Sequence, residues 1–312
     1  MKVKNIIIST CWRLISSEEH LSNRKTFQRI DIFHKTLEFL LEKQFNKLEL
    51  NAIPDLSLIN MIKNDFDIVS IHNPIDMLEV SNDSYCDNIS SEEKTKRELA
   101  IKRTLNTIEL AENLDVQNIV LHAGSILPKK KDWQKKLLQA NDSLLLNSAK
   151  EWRKKNKEPF FSNLLFSMEQ ILKYDFRVNI SIECRNYFYE FPNPEELQKI
   201  FNEFADERLK YWHDFGHSEM QQRMGFYTHI DMLRNFKDKL SGVHIHDFHP
   251  DKLDHIAIGD GEIDFQSLWK ELPDDFLPVI EVHPKVSKDK FLTSLLLATK
   301  LHKKNSTLKN AN

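Results

Sequence analysis

Short apolar runs alternate along the chain with longer stretches in which apolar residues recur at helical spacing. Apolar runs of this kind are typical of buried parallel strands, and the stretches between them are typical of amphipathic helices. Eight such units predict an α/β fold, a single closed (β/α)8 barrel, with a doubly wound open sheet as the structural alternative. The eight predicted strands cover residues 5–11, 47–51, 67–72, 118–122, 178–183, 209–214, 242–247 and 278–282.

The stretches between the strands carry the signals that begin helices. Ser91 can cap a helix whose apolar stripe includes Ile101 and Ile108. The segment Asn193-Pro194-Glu195-Glu196 combines an N-cap, a proline in the first helical position and acidic residues in the first turn. About fifty residues separate the fourth predicted strand from the fifth, so we expect a helical extension after strand four.

No linker or low-complexity segment divides the chain, which predicts one domain. We expect the barrel to cover residues 1–302 and residues 303–312 to form a flexible tail. The extension contains a basic tract, residues 129–157. This tract is either a solvated helix or a functional surface: a lid, an interface between two copies of the chain, or a phosphate-binding edge.

Composition narrows the class of protein. Of the 312 residues, 40 % are hydrophobic and 29 % are charged, which is typical of a globular protein with a substantial core. The net charge of −3 provides no overall field that would recruit nucleic acid or an anionic membrane. The apolar runs are too short to span a membrane, and no signal-peptide pattern opens the chain. Cys11, Cys86 and Cys184 are too widely spaced for a disulfide framework or a zinc ribbon, which predicts a reducing cytoplasm.

Many of the predicted strands end in a residue that can bind a metal. In a (β/α)8 barrel the side chains of the active site project from the carboxyl ends of the strands, so these groups would converge. A carboxylate at the end of an apolar strand is costly unless it is paired or bound to a metal. Histidine and carboxylate ligands without cysteine suit Zn²⁺, Mn²⁺, Co²⁺ or Fe²⁺ and fit Ca²⁺ poorly. The six strand-end residues are His72, His122, Glu183, Asp214, His244 and Glu281.

Histidines are concentrated between the sixth predicted strand and the segment after the seventh. After Asp214, Gly216 allows a sharp turn that returns His217 to the same side of the barrel. On the seventh strand, His244 and His246 share one face because alternate residues of a strand do so. We expect the following segment to be a loop that brings His255 over the barrel mouth.

In order and in spacing, these motifs resemble those of the xylose-isomerase-like TIM barrels. That family contains sugar phosphate isomerases and epimerases together with apurinic endonucleases of the endonuclease IV type. The resemblance extends from about residue 65 to about residue 285. The motifs that carry it are Ser70-Ile-His-Asn-Pro74, Val120-Leu-His-Ala-Gly124, Ile182-Glu-Cys-Arg185, His213-Asp-Phe-Gly-His217, Gly242-Val-His-Ile-His-Asp247, Asp254-His-Ile-Ala-Ile-Gly-Asp-Gly261 and Ile280-Glu-Val-His-Pro284.

The resemblance implies a set of metal ligands. His72 and His122 match histidines that hold a second metal, together with the shared glutamate, in the endonuclease type. His217 and His255 match two ligands of its third metal. The remaining ligand of that third site is an aspartate, and its position here is Leu253, for which Asp254 or Asp251 would have to substitute. The ligands of the metal common to isomerases and endonucleases match Glu183, Asp214, His244 and Glu281.

The resemblance and the ligand set favour a metal-dependent isomerase or epimerase that acts on a small polyhydroxy carbonyl compound, such as a sugar or a sugar phosphate. The metal would polarise the carbonyl group and stabilise an enediolate, while Glu183 and Glu281 remove and return the α-proton. Arg185 would bind a substrate oxygen or phosphate, or else form a surface salt bridge. His246 and His283 would contact the substrate, or else support the metal ligands from behind.

The alternative function is that of a zinc-dependent phosphodiesterase of the endonuclease IV type acting on abasic DNA. Paired metals bridged by Glu183 would generate hydroxide and bind the leaving oxygen. His72 and His122 favour this function because a one-metal isomerase does not need them. Leu253 and the net charge of −3 oppose it, since nucleic-acid enzymes usually carry a basic surface, for which residues 129–157 are the candidate. A third alternative is a binding or regulatory barrel that keeps the ligands.

Overall fold

The computed structural model describes residues 6–14, 29–51, 53–75, 88–139 and 142–309 of the chain. The strands are β1 (Ile7–Ser9), β2 (Lys47–Leu50), β3 (Asp67–Asn73), β4 (Asn118–Leu121), β5 (Asn179–Glu183), β6 (Leu209–Asp214), β7 (Leu240–Ile245), β8 (Asp247–His249), β9 (Leu253–Ile256) and β10 (Leu277–Ile280). The α-helices are α1 (Ile30–Glu42), α2 (Ile59–Asp65), α3 (Lys94–Asn113), α4 (Lys131–Gln139), α5 (Ser143–Leu172), α6 (Pro194–Phe204), α7 (Phe215–Met224), α8 (His229–Asn235), α9 (Phe265–Leu268) and α10 (Lys288–Lys309).

Eight strands close into a parallel barrel in the order β1-β10-β7-β6-β5-β4-β3-β2. The predicted (β/α)8 barrel is therefore confirmed, and the open sheet is excluded. All eight predicted strands are present, and their ends differ from the predicted ends by at most two residues. The hydrophobic pattern locates strands well here because barrel strands covered by helices must be apolar along almost their whole length.

The clearest difference from the sequence expectation lies after β7. This strand ends at Ile245, two residues before the predicted end. Asp247 begins a separate antiparallel hairpin, β8–β9, in which it pairs with Ile256. The carboxylate of Asp247 also accepts hydrogen bonds from three backbone N–H groups of the segment after β9, at 2.9 to 3.1 Å. The segment around His255, expected as a loop, is therefore partly strand. The hydrogen bonds to Asp247 hold the residues that follow it at the barrel mouth.

The predicted helical extension after the fourth strand consists of α4 and α5. Helix α5 is 30 residues long and begins after Asp142, whose carboxylate accepts a hydrogen bond from the backbone N–H of Leu145 at 3.0 Å. Arg153 and Lys157 of α5 both pair with Glu196 in the first turn of α6, and that carboxylate is fully buried. Two cations of the basic tract thus neutralise a buried carboxylate and hold the extension against α6.

Inward-facing residues of the barrel strands form an apolar floor beneath a polar layer. Ile7, Val120, Trp212 and Val279 form a buried cluster of their own in the barrel interior. The indole ring of Trp212 fills so much of this space that a Cβ at Gly242 of the neighbouring strand would lie 2.3 Å from it. Successive inward residues lie two positions apart, so the next inward residue on several strands is a candidate metal ligand.

The chain ends on a long helix. Helix α10 runs to Lys309, beyond residue 302 where the barrel domain is expected to end, so residues 303–309 of the expected flexible tail are helical. The division into residues 1–302 and 303–312 stays a prediction. Among the helices that the structure describes, none is long and apolar enough to cross a membrane.

Candidate metal centre

The polar layer at the carboxyl end of the barrel brings the six strand-end residues together. His122, Asp214 and Glu281 each come two residues after a floor residue, so the period of two in a strand points them inward. Their ligand atoms belong to three groups within which all ligand atoms lie within 4.8 Å of one another. Cluster 1 contains Glu183, Asp214, His244 and Glu281; cluster 2 contains His72, His122 and Glu183; and cluster 3 contains Asp214, His217, His246 and His255.

Cluster 1 places three buried carboxylates around one buried imidazole. Nδ1 of His244 lies 2.7 Å from Oε1 of Glu183 and 3.1 Å from Oε2 of Glu281, and Oδ2 of Asp214 lies 3.6 Å from the same nitrogen. Burial disfavours protonation of His244, but the carboxylates of Glu281 and Glu49 outweigh burial and raise its pKa well above the ordinary value. One imidazolium cannot neutralise three buried carboxylates, so this donor set fits a divalent cation.

Cluster 2 shares Glu183 with cluster 1, and the two oxygens of that carboxylate face different clusters. Oε1 faces His244 of cluster 1, whereas Oε2 lies 2.7 Å from Nε2 of His122. The rings of His72 and His122 meet edge to face, with centroids 4.6 Å apart. Nη1 of Arg185 lies 2.8 Å from Nε2 of His122 and 2.8 Å from Oε2 of Glu183. A guanidinium is therefore part of this cluster.

Cluster 3 gathers three imidazoles beside Asp214. Oδ2 of Asp214 lies 3.0 Å from Nε2 of His246 and 3.4 Å from Nδ1 of His217. The rings of His246 and His255 stack, with centroids 4.0 Å apart. Burial lowers the pKa of His217 to about 4, which keeps this imidazole neutral and able to bind a metal. The structure thus brings His246 among the potential ligands, and its expected contact with a substrate stays a prediction.

A carboxylate borders cluster 3 next to Leu253, the position that the resemblance matches to the aspartate of the third metal site in the endonuclease type. Oδ2 of Asp254 lies 3.7 Å from Nε2 of His217, and its Oδ1 lies 3.4 Å from Nδ1 of His255. Asp251, the other substitute considered from the sequence, has a side chain that is 89 % exposed. Of these two carboxylates, that of Asp254 is therefore the one that lies beside His217 and His255.

Arg185 and His283, the other two residues expected to contact a substrate, differ in how far they are buried. Nε of Arg185 lies 3.6 Å from Oε2 of Glu190, and its guanidinium belongs to cluster 2. His283 is exposed, and its backbone N–H donates to the carbonyl oxygen of His255 at 2.7 Å. Its Nδ1 accepts a hydrogen bond from the backbone N–H of Lys285 at 3.0 Å. Contacts of Arg185 and His283 with a substrate stay predictions.

Comparison with known proteins places this barrel in a family. The sequence model of the family described as a Xylose isomerase-like TIM barrel matches residues 60–276, more than two thirds of the chain. The chain belongs to this family. A curated relative, the uncharacterized protein MJ1614 of Methanocaldococcus jannaschii, is 25 % identical over 241 residues, which cover 75 % of this chain and 79 % of that protein.

Solved structures similar to this xylose isomerase-like barrel include several sugar epimerases. A D-tagatose 3-epimerase-like protein matches with a TM-score of 0.65 and 16 % identity, over 97 % of this chain and 98 % of that one. D-psicose 3-epimerase from Clostridium cellulolyticum H10, solved with D-tagatose, has a TM-score of 0.62 and 14 % identity, over 96 % and 98 %. The 3-keto-D-glucoside 4-epimerase YcjR from E. coli has a TM-score of 0.59 and 12 % identity, over 95 % and 99 %. At these identities the likeness establishes a common fold.

This xylose isomerase-like barrel contains a buried carboxylate that sequence reasoning missed. The two carboxylate oxygens of Glu49 lie 3.1 and 3.2 Å from Nε2 of His244, and Oε2 accepts a hydrogen bond from the hydroxyl of Ser70 at 2.9 Å. An Nε2–H of His244 that donates to Glu49 leaves Nδ1 as the metal-binding nitrogen facing cluster 1. The signal was present, because Glu49 stands between two leucines in β2, a carboxylate in an apolar strand like Glu183.

Two further side chains border cluster 1. The amide of Asn51 donates to Oε1 of Glu281 at 2.6 Å, which leaves Oε2 facing His244. Cys11 follows β1, and burial together with the charge of Glu281 raises the pKa of its thiol to about 11. A thiol that stays protonated at neutral pH is a poor metal ligand. The candidate ligands of cluster 1 are therefore taken to be its histidine and its three carboxylates, without Cys11.

Proposed function

We propose that this protein is a divalent-metal-dependent isomerase or epimerase of a small polyhydroxy carbonyl compound, either a free sugar or a sugar phosphate. The observation that carries the proposal is cluster 1, in which two glutamates, Glu183 and Glu281, contact the same imidazole nitrogen of His244. The sugar epimerases among the structures that share the fold support it.

In this proposal, two ligands of cluster 1 also move the proton. A bound divalent ion would supply the Lewis acidity that polarises a carbonyl group. One oxygen of each glutamate is held from outside the cluster: Arg185 donates to Oε2 of Glu183, and Asn51 donates to Oε1 of Glu281. The other oxygen of each faces cluster 1, so one glutamate can remove the proton beside the carbonyl group and the other can return it. Removal from one face and return to the other inverts that carbon.

Three residues are proposed to contact the substrate: Arg185, His246 and His283. The side chain of Arg185 is 16 % exposed, and His283 is exposed. Both are therefore accessible to a molecule bound above cluster 1, which supports the proposal. His246 is fully buried beside Asp214, so the alternative to its proposed contact with the substrate is ligation in cluster 3 or orientation of Asp214.

Proton exchange in heavy water tests the proposed function. The protein, loaded with Mn²⁺ or Co²⁺, is incubated in D₂O with ketopentoses, ketohexoses and their phosphates, and NMR follows the carbon beside the carbonyl group. We expect deuterium incorporation and formation of a second sugar with at least one compound. Glu281→Gln is expected to lower that rate by about 10²- to 10⁴-fold, the usual contribution of a general acid or base.

The matched control is Arg234→Gln, which breaks a surface ion pair with Glu271 and is expected to leave the exchange rate unchanged. Absence of exchange with every compound, from protein shown to contain metal, would refute the isomerase proposal. Glu281→Gln protein that exchanges at the normal rate would refute the role given to Glu281.

A second candidate function, the hydrolysis of a phosphodiester in abasic DNA by a zinc-dependent enzyme, is favoured by the presence of clusters 2 and 3. Against it stand the net charge of −3 and the use of Arg153 and Lys157 to neutralise Glu196. Cleavage of an abasic-site oligonucleotide that is abolished by Glu183→Ala would favour the nuclease. It would also overturn the isomerase as the main function.

Three related expectations stay predictions. Cluster 1 fits Zn²⁺, Mn²⁺, Co²⁺ or Fe²⁺, and its donor types do not choose among them. An interface between two copies of the chain, formed by the basic tract, is testable by light scattering. The cytoplasmic location rests on the cysteine content, and Cys11 and Cys184 are free thiols in the structure.

A further inference from the structure

Cluster 2 already contains a cation that belongs to the chain. Nη1 of Arg185 lies 2.8 Å from Nε2 of His122 and 2.8 Å from Oε2 of Glu183, and these two atoms lie 2.7 Å from each other. The three atoms form a nearly equilateral triangle. Among the described contacts of clusters 1 and 3, the contact of Arg185 with Glu183 is the one made by an arginine or lysine.

The chemistry of imidazole decides what this triangle means. With a hydrogen, Nε2 of His122 donates to Oε2 of Glu183 at 2.7 Å; without one, it accepts from the guanidinium N–H group at 2.8 Å. In both states the one bonding direction of Nε2 is used inside the triangle. A neutral imidazole nitrogen has a single lone pair, so Nε2 of His122 cannot bind Arg185 and a metal ion at the same time.

Arg185 is held in this position from several sides. Its Nε lies 3.6 Å from Oε2 of Glu190, and its carbonyl oxygen accepts a hydrogen bond from the amide of Gln221 at 2.9 Å. The hydroxyl of Tyr227 also donates to that carbonyl oxygen, at 3.5 Å. Both the main chain and the side chain of Arg185 are therefore fixed beside Glu183, as expected for a permanent constituent of the cluster.

We propose that the guanidinium of Arg185 takes the place of a metal ion in cluster 2, so that the protein binds one metal fewer than its ligand clusters would allow. The inference rests on the proposed metal centre. It divides Glu183 between two cations, with Oε1 left for the metal of cluster 1 and Oε2 neutralised by Arg185. It also explains how His72 and His122 are compatible with a one-metal isomerase.

Metal content per chain tests the inference without any assay of activity. Wild-type and variant proteins are dialysed to equilibrium against Co²⁺, and bound metal is counted by mass spectrometry against protein concentration. We expect Arg185→Gln to bind one Co²⁺ more than wild type, and Arg185→Lys, which keeps a cation, to bind the wild-type number. In the double variant Arg185→Gln/His122→Ala the additional Co²⁺ should be lost.

Two controls make the outcome unambiguous. Arg234→Gln, in a surface ion pair, should bind the wild-type number of Co²⁺, and circular dichroism shows whether each variant is folded. His122→Ala, in an otherwise unchanged chain, should also bind the wild-type number. This second variant keeps the inference testable should Arg185→Gln not fold.

Either of two results would overturn the inference: loss of one Co²⁺ on His122→Ala alone, or an unchanged count in folded Arg185→Gln. Failure of this inference is distinguishable from failure of the proposed function. Absence of proton exchange with every sugar would refute the proposed isomerase function and would not affect the metal counts. Proton exchange together with an unchanged Co²⁺ count in Arg185→Gln would refute the inference about Arg185 and leave the proposed function standing.

Discussion

Glu49→Gln is expected to weaken metal binding at cluster 1 while leaving the barrel folded. Glu49 is fully buried, and its carboxylate contacts Nε2 of His244 and the hydroxyl of Ser70. Glutamine has nearly the same volume and keeps one acceptor oxygen, so the substitution mainly removes a negative charge. A proton and a metal ion compete for His244, and the negative charge of Glu49 attracts both. The metal carries two positive charges and the proton one, so removal of the Glu49 charge weakens the binding of metal more than it weakens the binding of a proton.

The expected size follows from the hydrogen bond that is changed. A hydrogen bond to a charged group contributes about 1.5–3 kcal/mol, and a neutral one is roughly half as strong. The loss on Glu49→Gln is therefore about 0.8–1.5 kcal/mol, which corresponds to an increase in the metal Kd of about 4- to 13-fold. Glu49→Leu, which leaves the Nε2–H of His244 without an acceptor, should reach about 10- to 100-fold.

The assay is competition for Co²⁺ or Zn²⁺ against a chromophoric chelator, with thermal unfolding of the metal-free protein measured in parallel. The matched control is Glu196→Gln, at another fully buried carboxylate, which pairs with Arg153 and Lys157. The control should lower the melting temperature and leave the metal Kd unchanged. An unchanged Kd in Glu49→Gln protein would refute the reasoning, as would a Kd that rises equally in the control.

Further predictions concern packing, reactivity and metal loading. Gly216→Ala is expected to lower stability by about 1–3 kcal/mol, seen as a lower melting temperature, because a Cβ there would lie 2.1 Å from Cε1 of the buried His246; an unchanged melting temperature would contradict this. In a Cys86→Ser background, alkylation of Cys11 should be slow at pH 8 and should accelerate toward its pKa of about 11, since burial and Glu281 disfavour the reactive thiolate; fast alkylation at pH 7 would contradict the burial. Metal at 100 times its Kd should stabilise the protein by about 2.7 kcal/mol, reversibly on chelation. The metal Kd should fall as pH rises from 6 to 8, because protons compete at His244, whose pKa is raised; a Kd independent of pH would count against His244 as a ligand.

The three clusters are not independent, because they share carboxylates. Glu183 belongs to clusters 1 and 2, and Asp214 belongs to clusters 1 and 3. A cation in one cluster therefore changes the charge available to the next. If Arg185 holds the outer oxygen of Glu183, cluster 1 contains a carboxylate whose position is fixed before metal binds, which reduces the cost of assembling the site.

The barrel and most of its polar layer could be predicted from the order of residues along the chain. Eight apolar runs separated by helical stretches have few alternatives to a (β/α)8 barrel, and the confirmed strand order shows it. Val120 and His122, or Val279 and Glu281, follow each other with the period of two that a strand imposes. Local periodicity is enough to state which side chains face the interior, because the backbone geometry of a strand depends on neighbouring residues alone.

The partners across the barrel were decided by the tertiary structure alone. Glu49 and His244 are 195 positions apart and meet because closure of the barrel brings β2 and β7 to a common interior. Arg185 belongs to cluster 2 and His246 to cluster 3. The alternation of residues in a strand predicts the face on which a side chain lies, but it does not predict which residues of other strands that side chain contacts. The hairpin β8–β9 formed where a loop was expected, because strands of three and four residues are too short to show a clear alternation of apolar and polar residues. Periodicity assigns a residue to a face, whereas which charges share that face depends on how the whole chain closes.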